Sequence, residues 1–249
     1  NDVSNQINSG STTKTITVSG AVASSTYSNF YGGSYYFDGS NDNVVAADST
    51  DYDFGTADFT AEVWFYATSI SGDQYIMSFD GGAASAGHNG INIYNGNWRI
   101  GGFNDYLIGG NVGLVADKWT HVAMSRESGT LRVFVDGSKI GEVSANVSFD
   151  STSAIVFGSY AGSTHYFGPG YIQDARVYKG VAKYTENFIP ASTNPDILPD
   201  TPSGVAYGSQ LTKVTDITTD GAVSFDGGGG YLDLGTSSDY AVGSGDFTI

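Results

Sequence analysis

Few side chains in this sequence are spaced for acid, base or nucleophilic chemistry. There are four glutamates, Glu62, Glu127, Glu142 and Glu186. Glu62 stands alone in its apolar segment, and the other three fall in or near turns. The sequence contains no H-E-x-x-H run, no Ser-His-Asp signature and no cysteine. His121, between Thr120 and Val122, could act as a ligand or base. With no carboxylate or nucleophile at useful local spacing, it reads instead as a buried imidazole bonded to a neighbouring backbone group. What the chain does offer is aromatic rings beside amides. Tyr94, Asn97 and Trp98 flank the Asn95-Gly96 pair, and Tyr160, His165 and Tyr166 lie in the Gly-rich run 158–170. Such rings stack on pyranose faces while Asn and Asp hold hydroxyls.

The elements that must position these groups are short strands. Residues 117–143, DKWTHVAMSRESGTLRVFVDGSKIGEV, read as three strands joined by two tight turns, Ser128-Gly129 and Asp136-Gly137, which supply the positive φ that hairpins need. Both alternating faces of its first two strands, Trp119 to Arg126 and Leu131 to Val135, carry apolar residues, so they belong mid-sheet, covered on both sides. Phe59 to Tyr66 alternates Phe59, Ala61, Val63 and Phe65 with Thr60, Glu62, Trp64 and Tyr66, which predicts one face in the core. Further strands are expected at 14–18, 34–37, 44–47, 75–79, 91–94, 98–101, 106–108, 154–157 and 171–178. Residues 48–55, 80–90 and 158–170 are expected to be loops, the last of a length at which loops tend to be functional.

Composition agrees with an all-β chain: 35 Gly, 17 Tyr and 14 Phe in 249 residues, with no helix-forming runs of Ala, Leu, Glu and Lys. The 40% hydrophobic content suffices for a sizeable core. A net charge of −16, from 26 acidic and 10 basic residues, excludes nucleic acid and anionic membrane surfaces as natural partners. Divalent cations are the natural counter-partner, although an acidic surface also serves solubility alone. No apolar run approaches the roughly 20 residues of a membrane span. No basic-then-apolar signal segment is present, and the opening on Asn1 reads as a processed or trimmed start.

Four of the five prolines (Pro190, Pro195, Pro199, Pro202) fall within residues 190–221, which marks a linker. The organisation is therefore a domain at 1–190, a Pro-rich linker at 191–221 and the start of a second copy at 222–249. Residues 37–61 align without a gap onto 225–249 at a shift of 188, with 10 of 25 positions identical, Phe37-Asp38-Gly39 and Asp58-Phe59-Thr60 among them. The second copy holds only first strands and cannot bury a core alone. The favoured reading is part of a longer tandem protein; the other is strand addition to a neighbouring molecule.

Three segments in order, YYFDGSNDNVV…FGTADFTAEVWFY, KWTHVAMSRESGTLRVFVDGSKIGE and GYIQDARVYKGVAKYTENFIP, resemble the laminin-G-like, concanavalin A-like lectin/glucanase superfamily over residues 14–190. The resemblance implies a jelly roll of two antiparallel sheets with ligand sites in rim loops. It also implies a structural calcium held by Asp38 and Asp42 of FDGSND and by Asp174 of GYIQD. Two departures stand against that set: Gln173, where the family often has another Asp, and Gly230 at the repeat position of Asp42. Glucanases of this fold carry an E-x-D-x-E run that sets three carboxylates on one strand face, and no such run exists in this sequence. KGVAKYTENFIP and the linker are similar to tandem repeats in large virion proteins of marine bacteriophages, especially tail fibres and appendages.

The expectation is a non-enzymatic appendage module, on a virion surface or extracellular, contacting host-surface glycans or neighbouring subunits within a larger assembly. A carbohydrate-binding module of a secreted polysaccharide-degrading enzyme or surface adhesin is the alternative, and a purely structural fibre or capsid-decoration subunit the third. Asn146-Val147-Ser148 fits a glycosylation acceptor only in a eukaryotic secretory setting.

Overall fold

The computed structural model describes residues 11–29, 32–79, 90–101, 106–107, 110–144, 154–159 and 166–190. The linker and second copy, the Asn146 tripeptide, Tyr160 and His165 lie outside them.

Type I′-like turns organise the hairpins. Asn95-Gly96, Ser128-Gly129 and Asp136-Gly137 have φ of 49° and 74°, 47° and 78°, and 48° and 78°, the left-handed pairs whose twist matches that of flanking strands. They join β7 (Gly90–Tyr94) to β8 (Asn97–Gly101), β10 (Trp119–Glu127) to β11 (Thr130–Val135), and β11 to β12 (Ser138–Ser144). The remaining strands are β1 (Ile16–Ser19), β2 (Val22–Ser24), β3 (Ser34–Phe37), β4 (Asn43–Ala46), β5 (Phe59–Ala67), β6 (Asp73–Ser78), β9 (Tyr106–Leu107), β13 (Ile155–Phe157) and β14 (Gly170–Lys179). They form two seven-stranded antiparallel sheets, β1-β4-β13-β6-β7-β8-β9 and β12-β11-β10-β5-β14-β3-β2. This is the expected two-sheet jelly-roll sandwich. Two elements escaped the sequence reading: edge strand β2, and a 3-10 turn at Thr50–Tyr52 inside the expected 48–55 loop.

The core lies between the sheets. Phe59, Ala61, Val63, Phe65 and Ala67 of β5 face it with Val122 and Met124 of β10 and Ile91, Ile93, Trp98 and Ile100 of the first sheet. Phe54 stacks on Phe59 at 4.5 Å and 7°, and Trp98 meets Phe65 edge-on at 5.7 Å, geometries that add to area burial. The fully buried Arg126 satisfies the Gly55 and Ala57 carbonyls, at 2.6 and 2.9 Å, and lies over the Phe59 ring.

The expectation that only one face of β5 is packed needs correction. Thr60, Glu62 and Tyr66 on its other face are 0%, 3% and 8% exposed. Residues 181–190 return across that face as a strap. The Lys183 amide donates to Thr60 Oγ1 (2.8 Å) and the Tyr184 amide reaches Ser125 Oγ (3.4 Å). The Phe188 amide donates to the Gly137 carbonyl (2.9 Å). A Cβ on Gly137 would overlap the Phe188 carbonyl oxygen, so the glycine that makes the hairpin turn also lets the strap pass.

Candidate functional site

Alternation along each strand and register between strands set one transverse row on the outer face of the second sheet. Tyr36 of β3 pairs with Tyr171 of β14, Tyr171 with Tyr66 of β5, and Tyr66 with Trp119 of β10. Val22 of β2, opposite Tyr36 and 53% exposed, ends the row. Their sequence neighbours Phe37, Ile172 and Phe65 point the other way, into the core. Tyr36 to Trp119 crosses three inter-strand gaps, about 14 Å at the usual spacing. Ring centroids are 5.1 Å apart for Tyr36 and Tyr171, 6.0 Å for Tyr171 and Tyr66, and 5.8 Å for Tyr66 and Trp119.

Tyr27, 42% exposed, lies over the middle of the row, 4.7 Å from the Tyr66 ring and 5.0 Å from Tyr171. Its carbonyl accepts from Ser34 Oγ at 2.6 Å. The following loop is tied down by Gln173, whose amide accepts from Asn29 N (3.0 Å) and donates to Ser28 Oγ (3.2 Å) and to the Gly33 carbonyl. Asp117, exposed and at φ 59°, is placed beside Tyr66 by its amide bond to the Ala67 carbonyl (2.8 Å). Burial, the Tyr27 phenol and the Asp117 carboxylate raise the Tyr66 phenol above its ordinary value; burial, Tyr36 and Tyr27 do the same for Tyr171. Both stay neutral hydrogen-bonding groups at the foot of the platform. The result is a half-exposed aromatic surface with phenols and one carboxylate at its margin, the equipment for stacking on a flat polyol and holding its hydroxyls.

Farther along the same face the outward residues are charged and covered. Glu62 Oε1 accepts from Lys183 Nζ at 2.9 Å; Oε2 accepts from the Tyr184 hydroxyl at 2.7 Å and lies 3.2 Å from His121 Nε2. Burial alone would raise the Glu62 pKa. The His121 hydrogen bond, the Lys183 and His121 charges and the Tyr184 hydroxyl outweigh it and hold the carboxyl well below its usual range. His121 is buried as expected, but its partner is this cross-strand carboxylate, not a backbone group. Its Nε2 faces Glu62, the buried Nδ1 has no hydrogen-bond partner among the described residues, and the ring faces Trp64, Tyr184 and Phe188. Next to it Arg176 grips Asp174 through Nε and Nη2, at 3.1 and 2.8 Å.

The residues singled out from sequence scatter. Tyr94 is 39% exposed with the Arg99 guanidinium 4.9 Å over its ring, and Asn97, half-buried, donates to the Asn95 carbonyl at 3.0 Å. Trp98 is fully buried, with Nε1 donating to the Val112 carbonyl at 2.8 Å. It packs the core and offers no ring face to a sugar. Tyr166 is half-buried beside the core residue Phe167. The proposed calcium ligands are not brought together. Asp42, 3% exposed, accepts from the Asp38 amide at 2.6 Å, and Asp38 Oδ1 accepts from the Ser40 amide at 2.7 Å, both turn-closing bonds. Asp174 lies at a bulge in β14. Since Gly170 pairs with Phe37, it stands about five residues from Asp38 along the strands, roughly 16 Å. Among the described residues no cluster of three His, Cys, Asp or Glu side chains could hold a metal ion.

The model of the concanavalin A-like lectin/glucanases superfamily matches residues 37–186. The chain belongs to this superfamily. The match runs from the FDG turn through β14 into the strap. No curated protein matches. Among solved structures, domain 4 of AbnA, an extracellular arabinanase from Geobacillus stearothermophilus in complex with arabinotriose, is similar at 13% identity and TM-score 0.47, over 67% of this chain and 82% of that one. A mutant Trypanosoma rangeli sialidase displaying trans-sialidase activity is similar at 16% identity and TM-score 0.50; the match covers 66% of this chain and 27% of the sialidase. The binding domain of botulinum neurotoxin serotype D is similar at 15% identity and TM-score 0.47, over 67% and 43%. At 16% identity and a TM-score of 0.50, the sialidase likeness is one of fold.

Proposed function

We propose that this superfamily member is a non-catalytic glycan-binding module that receives saccharide on the platform of Tyr27, Tyr36 and Trp119 underlain by Tyr66 and Tyr171. The observation that carries the reading is the in-register row of four aromatic residues on an outward sheet face, capped by a fifth. Aromatic anchors grouped at the centre of a contact dominate its energetics. Glu62, the carboxylate most strongly perturbed by its neighbours, is enclosed under the strap with its oxygens occupied, and serves the fold. The setting we propose is a tandem-domain appendage, a phage tail fibre by similarity of the 179–190 run and the linker, where neighbouring subunits are further partners. Titration against an oligosaccharide panel tests the module. Tyr27→Ala combined with Trp119→Ala is expected to abolish binding while circular dichroism stays unchanged. Undiminished binding by this folded variant would move the site elsewhere.

A further inference from the structure

We infer that the aromatic platform takes neutral oligosaccharides and discriminates against glycans bearing carboxylate or sulfate groups. This rests on the glycan-binding reading above and specifies its ligand.

Recognition of an anionic sugar calls for a cation able to reach it, ideally a guanidinium fork or an ammonium. Each of the nine lysines and arginines among the described residues is engaged within the domain. Lys14 pairs with Asp51, Lys118 with Asp136, Arg132 with Glu127 and Glu142, Lys139 with Glu142, Arg176 with Asp174, and Lys183 with Glu62. Arg126 binds the Gly55 and Ala57 carbonyls, Lys179 donates to the Thr50 carbonyl, and Arg99 covers the Tyr94 ring. None belongs to the row. Lys118, the cation nearest to Trp119 in sequence, holds Asp136 at 2.6 Å.

The charge that does border the platform is negative. Asp117 is exposed, its backbone is pinned to Ala67, the residue after Tyr66, and its carboxylate helps to raise the Tyr66 phenol. A carboxylate accepts readily from sugar hydroxyls and repels a uronate or sulfate. Residues 1–190, with 18 acidic and 9 basic side chains, add a long-range field of the same sign. The tyrosine phenols supply uncharged donors and acceptors, and the row's direction across the strands suits a short chain of stacked rings rather than one terminal sugar.

The test uses the full chain, titrated at low and at physiological salt with neutral hexose and pentose oligosaccharides, and with uronate and sulfated oligosaccharides of equal length. The neutral compounds are expected to bind at least about tenfold more tightly. The gap should shrink in Asp117→Asn, a residue type that tolerates the positive φ, and also as salt rises. Anionic oligosaccharides bound as tightly as neutral ones would overturn the inference and leave the glycan reading standing. Binding to no saccharide would overturn both.

Discussion

The two ends of one sheet face make different use of the same strands. At one end Tyr36, Tyr171, Tyr66 and Trp119 turn outward, with Tyr36, Trp119 and the capping Tyr27 partly exposed above the buried Tyr66 and Tyr171. At the other, four residues along β5, Glu62 turns outward and is roofed by Lys183 and Tyr184. Phenols and an indole can stand half in water, because each has an apolar body and a polar tip. A carboxylate between β-strands and aromatic rings cannot be left half-solvated without loss, so it must gain donors, and the strap brings them. The lesson is that covering follows charge: the charged end became structure, and the aromatic end stayed available.

The largest expected effect tests whether the charged end is structural. Glu62→Ala leaves Lys183 and His121 facing each other under the strap and should lower unfolding stability by about 3–5 kcal/mol. Urea denaturation measures this, and a loss below about 1 kcal/mol would remove the contrast between the two ends. Gly137→Ala comes next, at about 2 kcal/mol or more, because it forces a Cβ into the left-handed region and against the Phe188 carbonyl. Its signature should be earlier proteolysis within 181–190.

The pH dependence sharpens the same comparison. Glu62 is depressed from an ordinary value of 4.5, so the unfolded chain binds its proton first. The stabilisation is complete above about pH 4.5 and is lost as pH falls further toward the folded value. Asp51 is also lowered; burial opposes the shift, but Lys14 and Thr12 outweigh it, so it adds loss on the acid side of 3.8. Thermal melts between pH 6 and 3 should show a shallower acid slope in Glu62→Gln than in wild type. Equal slopes would remove Glu62 as the source.

At the aromatic end, Gln173→Ala should cost only about 1 kcal/mol of stability yet weaken glycan binding several-fold by loosening the loop that carries Tyr27. Binding identical to wild type would show that Tyr27 needs no such anchoring. The smallest effect concerns calcium. With Asp174 remote from Asp38 and Asp42, adding calcium or chelator should move the melting temperature by less than the roughly 2–4 °C that 1 kcal/mol of linkage would give. A larger rise with calcium would locate a cation site outside this set.

Much of the architecture was legible because it is local. Asn95-Gly96, Ser128-Gly129 and Asp136-Gly137 announce their turns, and β5 announces its core face, since turn chemistry and two-residue alternation need no knowledge of the rest of the chain. The site was not legible. Tyr94 and Trp98 sit on the best hairpin signal, yet one stacks under Arg99 and the other fills the core. The outward position of Tyr66 and Trp64 on β5 was a usable clue, but only pairing with β14 and β10 reveals the row.

Composition and alternation alone determined that this chain is acidic and all-β, with positive-φ hairpins and an apolar interior; the two-sheet sandwich was implied by the resemblance of three segments to the superfamily. Tertiary structure decided that Tyr36, Tyr66, Trp119 and Tyr171, up to 135 residues apart by their numbers, lie in one line, and that His121 and Lys183 meet Glu62. The physical reason is that strand register and the path of the strap are set by packing summed over the whole domain, which no local residue pattern encodes.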